Sequence, residues 1–222
     1  MVKKRFVRCI LNISDLFESS TTRSYRKKHV IIYEGDPVST IFYIKSGYVK
    51  VYNILNDGTE RIIFIYGPGD VFPLSTYLSG SRAIRYFYVG LSDVKLLTLP
   101  SEQLERKIRN DIAVGETLVN YTVLINLQFL ERIEILSVND ARRKVVALLA
   151  FLVIKIGTKS PISRLSIYLT HQELSEMCGL TRESTSIQLE KLRKEGVLLG
   201  KRATDINVTK LEALKSDMSI VI

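Results

Sequence analysis

Residues 170–195 read THQELSEMCGLTRESTSIQLEKLRKE, and this stretch decides the interpretation of the chain. Thr170 and Glu173 have the spacing of a capping box, which predicts that a helix begins here. Gly179 can adopt the left-handed conformation that ends a helix sharply, and Thr181 can cap a second helix directly afterwards. Two short helices joined by a tight glycine turn are typical of a helix-turn-helix, whose second helix enters the major groove of DNA.

The two faces of this predicted helix pair differ in chemistry. The inward positions are apolar or small, with Leu180 at the corner: Leu174, Met177, Thr185, Leu189 and Leu192. The outward positions near the start of the second helix are Arg182, Glu183, Ser186 and Ile187. Arginine can chelate guanine, glutamate accepts from the cytosine amino group, and serine can use either edge of a base. The alternative is a surface motif used for packing or protein contact.

The residues around the helix pair extend this interpretation. Residues 196–208, GVLLGKRATDINV, alternate like a small hairpin with Lys201 and Arg202 at its tip. A winged helix-turn-helix carries such a hairpin, whose basic residues contact phosphates. Upstream, residues 141–156 follow Asp140 as a cap and predict a further amphipathic helix.

A longer helix is predicted at residues 111–136, which contain no proline and a single glycine. An apolar seam with spacing near 3.5 residues follows it: Leu118, Thr122, Ile125, Phe129, Ile133 and Leu136. A second apolar flank comprises Leu124, Leu127 and Leu130. Because a helix that is apolar on more than one side must bury both, we expect one side to cover the N-terminal part of the chain. The seam would then pack against the same helix of a second subunit, unless one chain buries both sides.

The N-terminal half has the period of β-strands. Strands are predicted at residues 29–33, 40–44, 48–52, 61–66, 84–90 and 93–99. Turn residues separate them, most clearly Asn56-Asp57-Gly58, which is a hairpin signal. Short strands with regular turns favour an antiparallel sandwich or barrel, so the chain is predicted to be α+β. No glycine-rich phosphate loop follows a strand, which disfavours a nucleotide-dependent kinase or dehydrogenase.

The composition sets further limits on partners. The chain has 222 residues, of which 46% are hydrophobic and 25% charged, so it can form a folded core. Its net charge of +9 comes from residues 1–110 and 138–222, whereas residues 111–137 are net acidic. An excess of basic residues suggests a polyanionic partner.

Residues for metal binding and catalysis are scarce. Cys9 and Cys178 are far apart without CxxC spacing, which disfavours a disulfide scaffold, a zinc site and an iron–sulfur cluster. His29 and His171 alone cannot form a multi-histidine metal site, and no catalytic Cys–His or Ser–His–Asp pattern indicates an enzyme. No apolar run approaches the ~20 residues of a membrane span, and Arg8 interrupts the N-terminal stretch. We therefore expect a cytoplasmic protein.

These features, in this order, resemble the CRP/FNR superfamily of bacterial transcription regulators. The turn glycines match those of its cyclic-nucleotide-binding-type β-roll: Gly35, Gly47, Gly58, Gly67 and Gly69. The resemblance implies a jelly-roll-like β-roll sensor domain at residues 1–110, a dimerisation helix at 111–137 and a winged helix-turn-helix DNA-binding domain at 138–222. It further implies a homodimer on a near-palindromic operator, an effector or signal at the β-roll, and RNA polymerase as a partner. The alternative hypothesis is a sensor module that regulates a partner protein without binding DNA.

The resemblance also assigns roles within the helix-turn-helix. The residues at its base-reading positions are Arg182, Glu183, Ser186 and Ile187. The residues that it places near the DNA phosphates are Thr170, His171, Gln172, Thr181 and Ser184.

The chain departs from the pattern of the members that bind cyclic AMP. Those members carry a Gly-Glu-Leu stretch and an Arg-Ser pair, whereas here Gly69-Asp70 is followed by VFPLS. No glutamate is available for the ribose, and Pro73 lacks a backbone N–H for the phosphate. Arg82 and Arg85 are each followed by a residue other than serine. A cyclic nucleotide is therefore not expected, and the N-terminal cysteine cluster of oxygen-sensing members is also missing from the sequence.

An aromatic pocket is the remaining candidate effector site. It would be bordered by Phe72, Pro73, Tyr77, Arg82, Arg85, Tyr86 and Tyr88, and by Leu124 of the long helix. Such a lining suits an organic effector better than a phosphate. The alternative is that these aromatic residues simply fill the interior of the β-roll.

Ile187 leads to a prediction about operator sequence. Many relatives carry an arginine here that reads guanine, whereas isoleucine can contact only a thymine methyl. We therefore expect an A/T pair at this step, and Ile187→Arg should shift the preference towards G/C by ~1–3 kcal/mol. Binding-site selection with both proteins measures the shift, and Ile187→Val is a control that should keep A/T. Unchanged specificity of Ile187→Arg would refute the assignment.

Overall fold

The computed structural model describes residues 12–200 and 203–220 and has the predicted α+β fold. Two compact units interleave along the sequence: residues up to 51 with 66–128, and residues 52–65 with 129 onwards. This division differs from linear boundaries at 110 and 137, because the hairpin around residues 52–65 groups with the C-terminal part of the chain. None of the helices in the described ranges combines the length and apolar character that crossing a lipid bilayer requires.

The N-terminal half contains most of the strands. In chain order its elements are a 3-10 helix at Ile13–Phe17, β1 Thr21–Tyr25, β2 Val30–Ile32, β3 Thr40–Ser46, β4 Val49–Ile54, β5 Glu60–Tyr66, β6 Val71–Phe72, α1 Leu74–Leu78, β7 Phe87–Gly90, β8 Val94–Pro100, α2 Ser101–Asn110 and α3 Ile112–Ser137. The strands form two sheets with the orders β1-β8-β3-β6 and β2-β7-β4-β5. Strand β8 pairs antiparallel with β1 and β3, and β2 pairs antiparallel with β7. The predicted antiparallel sandwich is confirmed.

Strand β1 is an element that the sequence pattern did not predict. Its residues, TTRSY, are mostly exposed and lack an apolar alternation. It forms because its backbone pairs with β8, and Thr21 Oγ1 lies 2.7 Å from Thr98 Oγ1 on the neighbouring strand. Tertiary pairing therefore compensates for weak local preference.

The core of the first unit joins its sheet to its helices. One apolar cluster contains Phe17 of the 3-10 helix, Leu99 of β8 and Leu118 of α3.

The turn between β3 and β4 requires glycine at residue 47. Gly47 has φ +87°, and a Cβ there would lie 2.1 Å from the Asp93 carbonyl oxygen. Only glycine fits this position.

The C-terminal part contains the predicted helix pair and its wing. Its elements are α4 Ala141–Ile156, β9 Ile162–Arg164, α5 His171–Cys178, α6 Arg182–Lys194, β10 Leu198–Leu199, β11 Asp205–Asn207 and α7 Val208–Asp217. Asp140 caps α4 by accepting from the Arg143 N–H at 2.8 Å, as predicted. Strands β10 and β11 confirm the wing hairpin and join β9 in one sheet. The predicted basic tip, Lys201 and Arg202, lies outside the described residues.

The orientation of α3 corrects the predicted dimer seam. Leu118 and Ile125 are each 3% exposed within their own chain, and the ring of Phe129 lies 4.7 Å from that of Phe64 in β5. Leu118 and Ile125 therefore have almost no free surface for a second subunit, and Phe129 is half-buried. Two other residues of the predicted seam, Ile133 and Leu136, are exposed, and the remaining exposed apolar residues lie on other sides of the helix: Val119, Val123, Leu124, Leu127 and Leu130. A period of 3.6 describes both faces equally well, so the sequence alone could not separate them.

Candidate nucleic-acid interface

The first helix of the pair begins with the predicted capping box. Thr170 Oγ1 accepts from the Glu173 N–H at 3.1 Å, and Glu173 Oε2 accepts from the Thr170 N–H at 2.7 Å. The helix ends at Gly179, which has φ 67° and ψ 34° in the left-handed region. Thr181 then caps α6 by accepting from the Ser184 N–H at 3.1 Å. These bonds satisfy backbone donors at both helix starts, so the turn is set locally.

The inner face of the pair is apolar and tightly covered. Its members are between 0% and 1% exposed: Leu174, Met177, Thr185, Leu189 and Leu192. Leu180 is half-buried at the corner, and its N–H donates to the Ser175 carbonyl at 3.1 Å. Burial on this scale fixes the rotation of α6 about its axis. The opposite face of the first two turns is consequently held outwards.

The predicted contact residues lie at the start of α5 or along the first turns of α6. Arg182, Glu183 and Ile187 are exposed, and Ser186 is half-buried beside them. Among the predicted phosphate contacts, the exposed residues are Gln172 and Thr181, and the half-buried ones are Thr170, His171 and Ser184. The nitrogen Nδ1 of His171 lies 2.9 Å from Ser186 Oγ, which links the start of α5 directly to α6.

The acidic residues towards the end of α6 are paired with arginines. Glu190 forms an ion pair with Arg193, and Glu195 lies 2.6 Å from Arg142 of α4. On the strands beside the wing, Arg164 Nε lies 2.7 Å from Asp205 Oδ1. Exposed ion pairs contribute little to stability. Here they reduce the repulsion that free carboxylates would exert on a polyanion.

Comparison with known proteins connects this geometry to a family. Residues 22–111 match the cyclic nucleotide-binding domain, and residues 143–216 match the Crp-like helix-turn-helix domain. The cyclic AMP receptor protein of Thermus thermophilus is 30% identical over 181 residues, covering 79% of this chain and 78% of its own. The chain belongs to the CRP/FNR family.

Other CRP/FNR proteins show similar coverage. The global nitrogen regulator of Synechocystis is 25% identical over 177 residues, which is 79% of each chain. The structure of FixK2 from Bradyrhizobium japonicum superposes with a TM-score of 0.76 at 24% identity, covering 88% of this chain and 96% of that one. These relatives are transcription regulators rather than enzymes. The protein is therefore a DNA-binding transcription regulator of the CRP/FNR type, and DNA is its partner.

Phe72, one of the predicted effector-pocket residues, lies within an aromatic stack. Phe72 is fully buried, and its ring lies 5.2 Å from Tyr88, 5.3 Å from Phe42 and 5.7 Å from Tyr66. Stacked rings at these spacings attract one another and fill the space that a ligand would need. Burial raises the pKa of Tyr66 and Tyr88, which keeps both phenols neutral.

The remaining predicted pocket residues differ widely in exposure. Arg82 and Arg85 are exposed, Tyr86 is half-buried, and Leu124 is 60% exposed on α3. Pro73 borders a small polar cavity of about 190 Å³, which Phe42 and Ile84 also line. The stacking of Phe72 with Tyr66 and Tyr88 is compatible with the alternative interpretation, in which the aromatic residues fill the β-roll.

Arg132 of α3 is a buried cation that sequence analysis did not single out. Only 2% of the residue is exposed, and its Nη2 donates to the Met177 carbonyl of α5 at 2.8 Å. Its Nε donates to the Ile63 carbonyl of β5 at 3.3 Å, and the guanidinium lies 5.6 Å from the centre of the Phe151 ring. Burial lowers the pKa of Arg132 to about 10, so it stays charged at neutral pH. Arg132 thereby connects α3, β5 and the end of α5.

One signal in the sequence could have identified this residue. Arg132 is the only lysine or arginine between residues 111 and 137, a stretch whose other charged residues are all acidic. A single cation in such a context is rarely buried without hydrogen-bond acceptors. Which acceptors it finds depends on backbone carbonyls that are 45 and 69 residues away along the chain.

We expect Arg132→Met to destabilise the protein, because methionine fills similar space but cannot donate to the carbonyls. The loss should be ~1–3 kcal/mol in the free energy of unfolding. Urea unfolding at a fixed protein concentration measures it, and Glu134→Met, an exposed position on the same helix, should change stability by less than ~0.5 kcal/mol. Equal stability of Arg132→Met and the wild type would contradict this prediction. It would show that the free-energy cost of burying the guanidinium is as large as the contribution of its hydrogen bonds.

Cys178 should be chemically inert in the folded protein. It is fully buried, and burial raises the pKa of its thiol from 9.0 to about 12. Its contribution to stability therefore falls as the pH rises above 9, since the unfolded chain ionises first. In a Cys9→Ser variant, a thiol reagent at pH 8 should label Cys178 only after unfolding in urea. Rapid labelling of the native protein would contradict this burial.

Proposed function

We propose that the protein is a homodimeric regulator that binds a near-palindromic operator, with one α6 helix in each half-site. The observation that carries the proposal is the exposed apolar stripe of α3. Its central residues, Val123, Leu127 and Leu130, are between 53% and 56% exposed. Apolar side chains at i, i+4 and i+7 on an exposed helix face favour pairing with an identical helix around a two-fold axis.

Dimerisation would also let two recognition helices bind the same DNA duplex. A two-fold axis relates the two copies of α6, so that they can enter successive major grooves about 34 Å apart. Arg182 and Glu183 would then contact base edges, while the starts of α5 and α6 would face phosphates. A non-DNA sensor module remains the second hypothesis, but the polar, exposed start of α6 favours DNA.

We further propose that a signal at the β-roll reaches DNA through α3. Tyr121 of α3 binds the backbone of β6 twice: its hydroxyl accepts from the Val71 N–H at 2.6 Å and donates to the Val71 carbonyl at 3.1 Å. A change near Phe72 would therefore act on α3 directly. The Thermus relative is named for cyclic AMP, but the aromatic stack supports a different effector or none. Because the protein regulates transcription, we expect RNA polymerase as a partner and a cytoplasmic location.

Binding-site selection with the purified protein tests the function. We expect a recurrent pair of related half-sites, each bound with an affinity that falls steeply with salt, because lysine and arginine contacts release counterions. The selected duplex should still compete against random duplex at ~0.2 M salt, where non-specific binding is weak. Binding that is weak, independent of sequence and lost at that salt concentration would favour the sensor-module hypothesis.

Leu127→Glu tests the dimer face. A glutamate at the centre of the stripe places two like charges at the proposed interface and removes ~2–4 kcal/mol of apolar burial per dimer. We expect sedimentation to show monomers at concentrations where the wild type is dimeric. Ile154→Glu is the matched control, because Ile154 is 68% exposed on α4, away from the stripe, and should leave the dimer intact. A dimer that survives Leu127→Glu would place the interface elsewhere.

A further inference from the structure

The contact between His171 and Ser186 constrains what the recognition helix can offer to a base. His171 is the first residue of α5, and its Nδ1 lies 2.9 Å from Ser186 Oγ on α6. Ser186 stands one helical turn after Arg182 on the outward side, and both His171 and Ser186 are half-buried. A serine hydroxyl normally serves either as donor or as acceptor to a base edge, and so discriminates weakly. This one already has a partner.

The direction of the hydrogen bond follows from the other nitrogen of the ring. In a neutral imidazole, one nitrogen donates and the other accepts. His171 lies at a helix start, which is the end of a helix that attracts phosphate. Phosphate oxygens only accept, so a ring nitrogen facing DNA must carry the proton. Because Nδ1 faces Ser186, the nitrogen available to a phosphate in the proposed complex is Nε2; when the ring is neutral, Nε2 carries the proton and Nδ1 is left as an acceptor. The Ser186 hydroxyl then donates its only proton to His171 Nδ1.

We propose that His171 is a positioning residue that makes Ser186 a pure hydrogen-bond acceptor in the DNA complex. Ser186 consequently selects a base with an amino group in the major groove, which is adenine through N6 or cytosine through N4. The inference rests on the proposed function, in which α6 reads base edges. It goes further because it states that the base donates and Ser186 accepts in their contact. It also attributes this direction to His171, which need not contact a base.

Two substitutions of His171 distinguish the roles of its two ring nitrogens. Asparagine places an amide oxygen where Nδ1 stands, so it can accept from Ser186 but cannot reach as far as Nε2. Glutamine extends to the position of Nε2 but leaves Ser186 without its acceptor. Ser186→Ala removes the hydroxyl itself. Gln172→Ala is the matched control for the loss of a phosphate contact: it should lower the affinity for every duplex alike and keep the contact between His171 and Ser186, because the Gln172 amide binds Glu176 at 2.9 Å rather than Ser186.

The probe is the operator obtained by binding-site selection, altered at the base pair whose preference changes in Ser186→Ala. Every base pair carries an amino group on one strand, so base preference alone cannot reveal the polarity. Replacing adenine by purine, or cytosine by 2-pyrimidinone, deletes that amino group. Replacing a purine by its 7-deaza analogue deletes an acceptor instead. Affinity for each duplex is measured by gel shift at one salt concentration.

Loss of the amino group should weaken binding about fivefold for the wild type, for His171→Asn and for Gln172→Ala. The same deletion should have no effect on Ser186→Ala or His171→Gln, although His171→Gln still binds the operator. Sensitivity to the 7-deaza analogue instead of the amino deletion would overturn the proposed polarity. An undiminished amino effect in His171→Gln would overturn the role of His171. If the wild type selects no recurrent half-site, both the inference and the proposed function fail.

Discussion

Helix α3 carries more apolar surface than one chain can cover, and this constraint shapes the rest of the protein. Its inner side packs within its own chain, where Leu118 and Ile125 are buried and the ring of Phe129 contacts that of Phe64 in β5. Its outer side keeps a continuous row of valine and leucine in solvent. An exposed apolar surface of this kind is costly unless something covers it. The dimer proposed above would cover this surface with the same helix of a second chain.

The recognition helix depends on a different kind of constraint, which is local and polar. Caps at Thr170 and Thr181 and a left-handed glycine at residue 179 set the corner, and the buried side chains beneath set the rotation of α6. Arg132 adds a long-range contact, because it binds the last turn of α5 from α3. The same guanidinium binds β5, so a change in that hairpin can reach the helix pair through one side chain. Such a contact is a physical route by which two conformational states can be coupled.

The β-roll shows how one fold supports different uses. The family match identifies a cyclic nucleotide-binding domain, yet the interior beside Phe72 is filled by stacked aromatic rings. An aromatic stack gains dispersion and burial energy without any ligand. Such a domain can still pack against α3 without binding the effector that its relatives bind. Fold alone therefore does not identify the effector.

Features with local causes could be predicted from the sequence: the capping box of Thr170 and Glu173, the left-handed glycine at residue 179, the alternation of the strands and the polar start of α6. These follow from neighbouring residues, so pattern and spacing sufficed. Only the tertiary structure decided which face of α3 is buried, that polar β1 pairs with β8, and that Phe72 fills the roll. It also decided that Arg132 finds carbonyls far along the chain and that His171 meets Ser186. Those outcomes depend on which distant surfaces meet, and a helical period of 3.6 residues is the same whichever face is turned inwards.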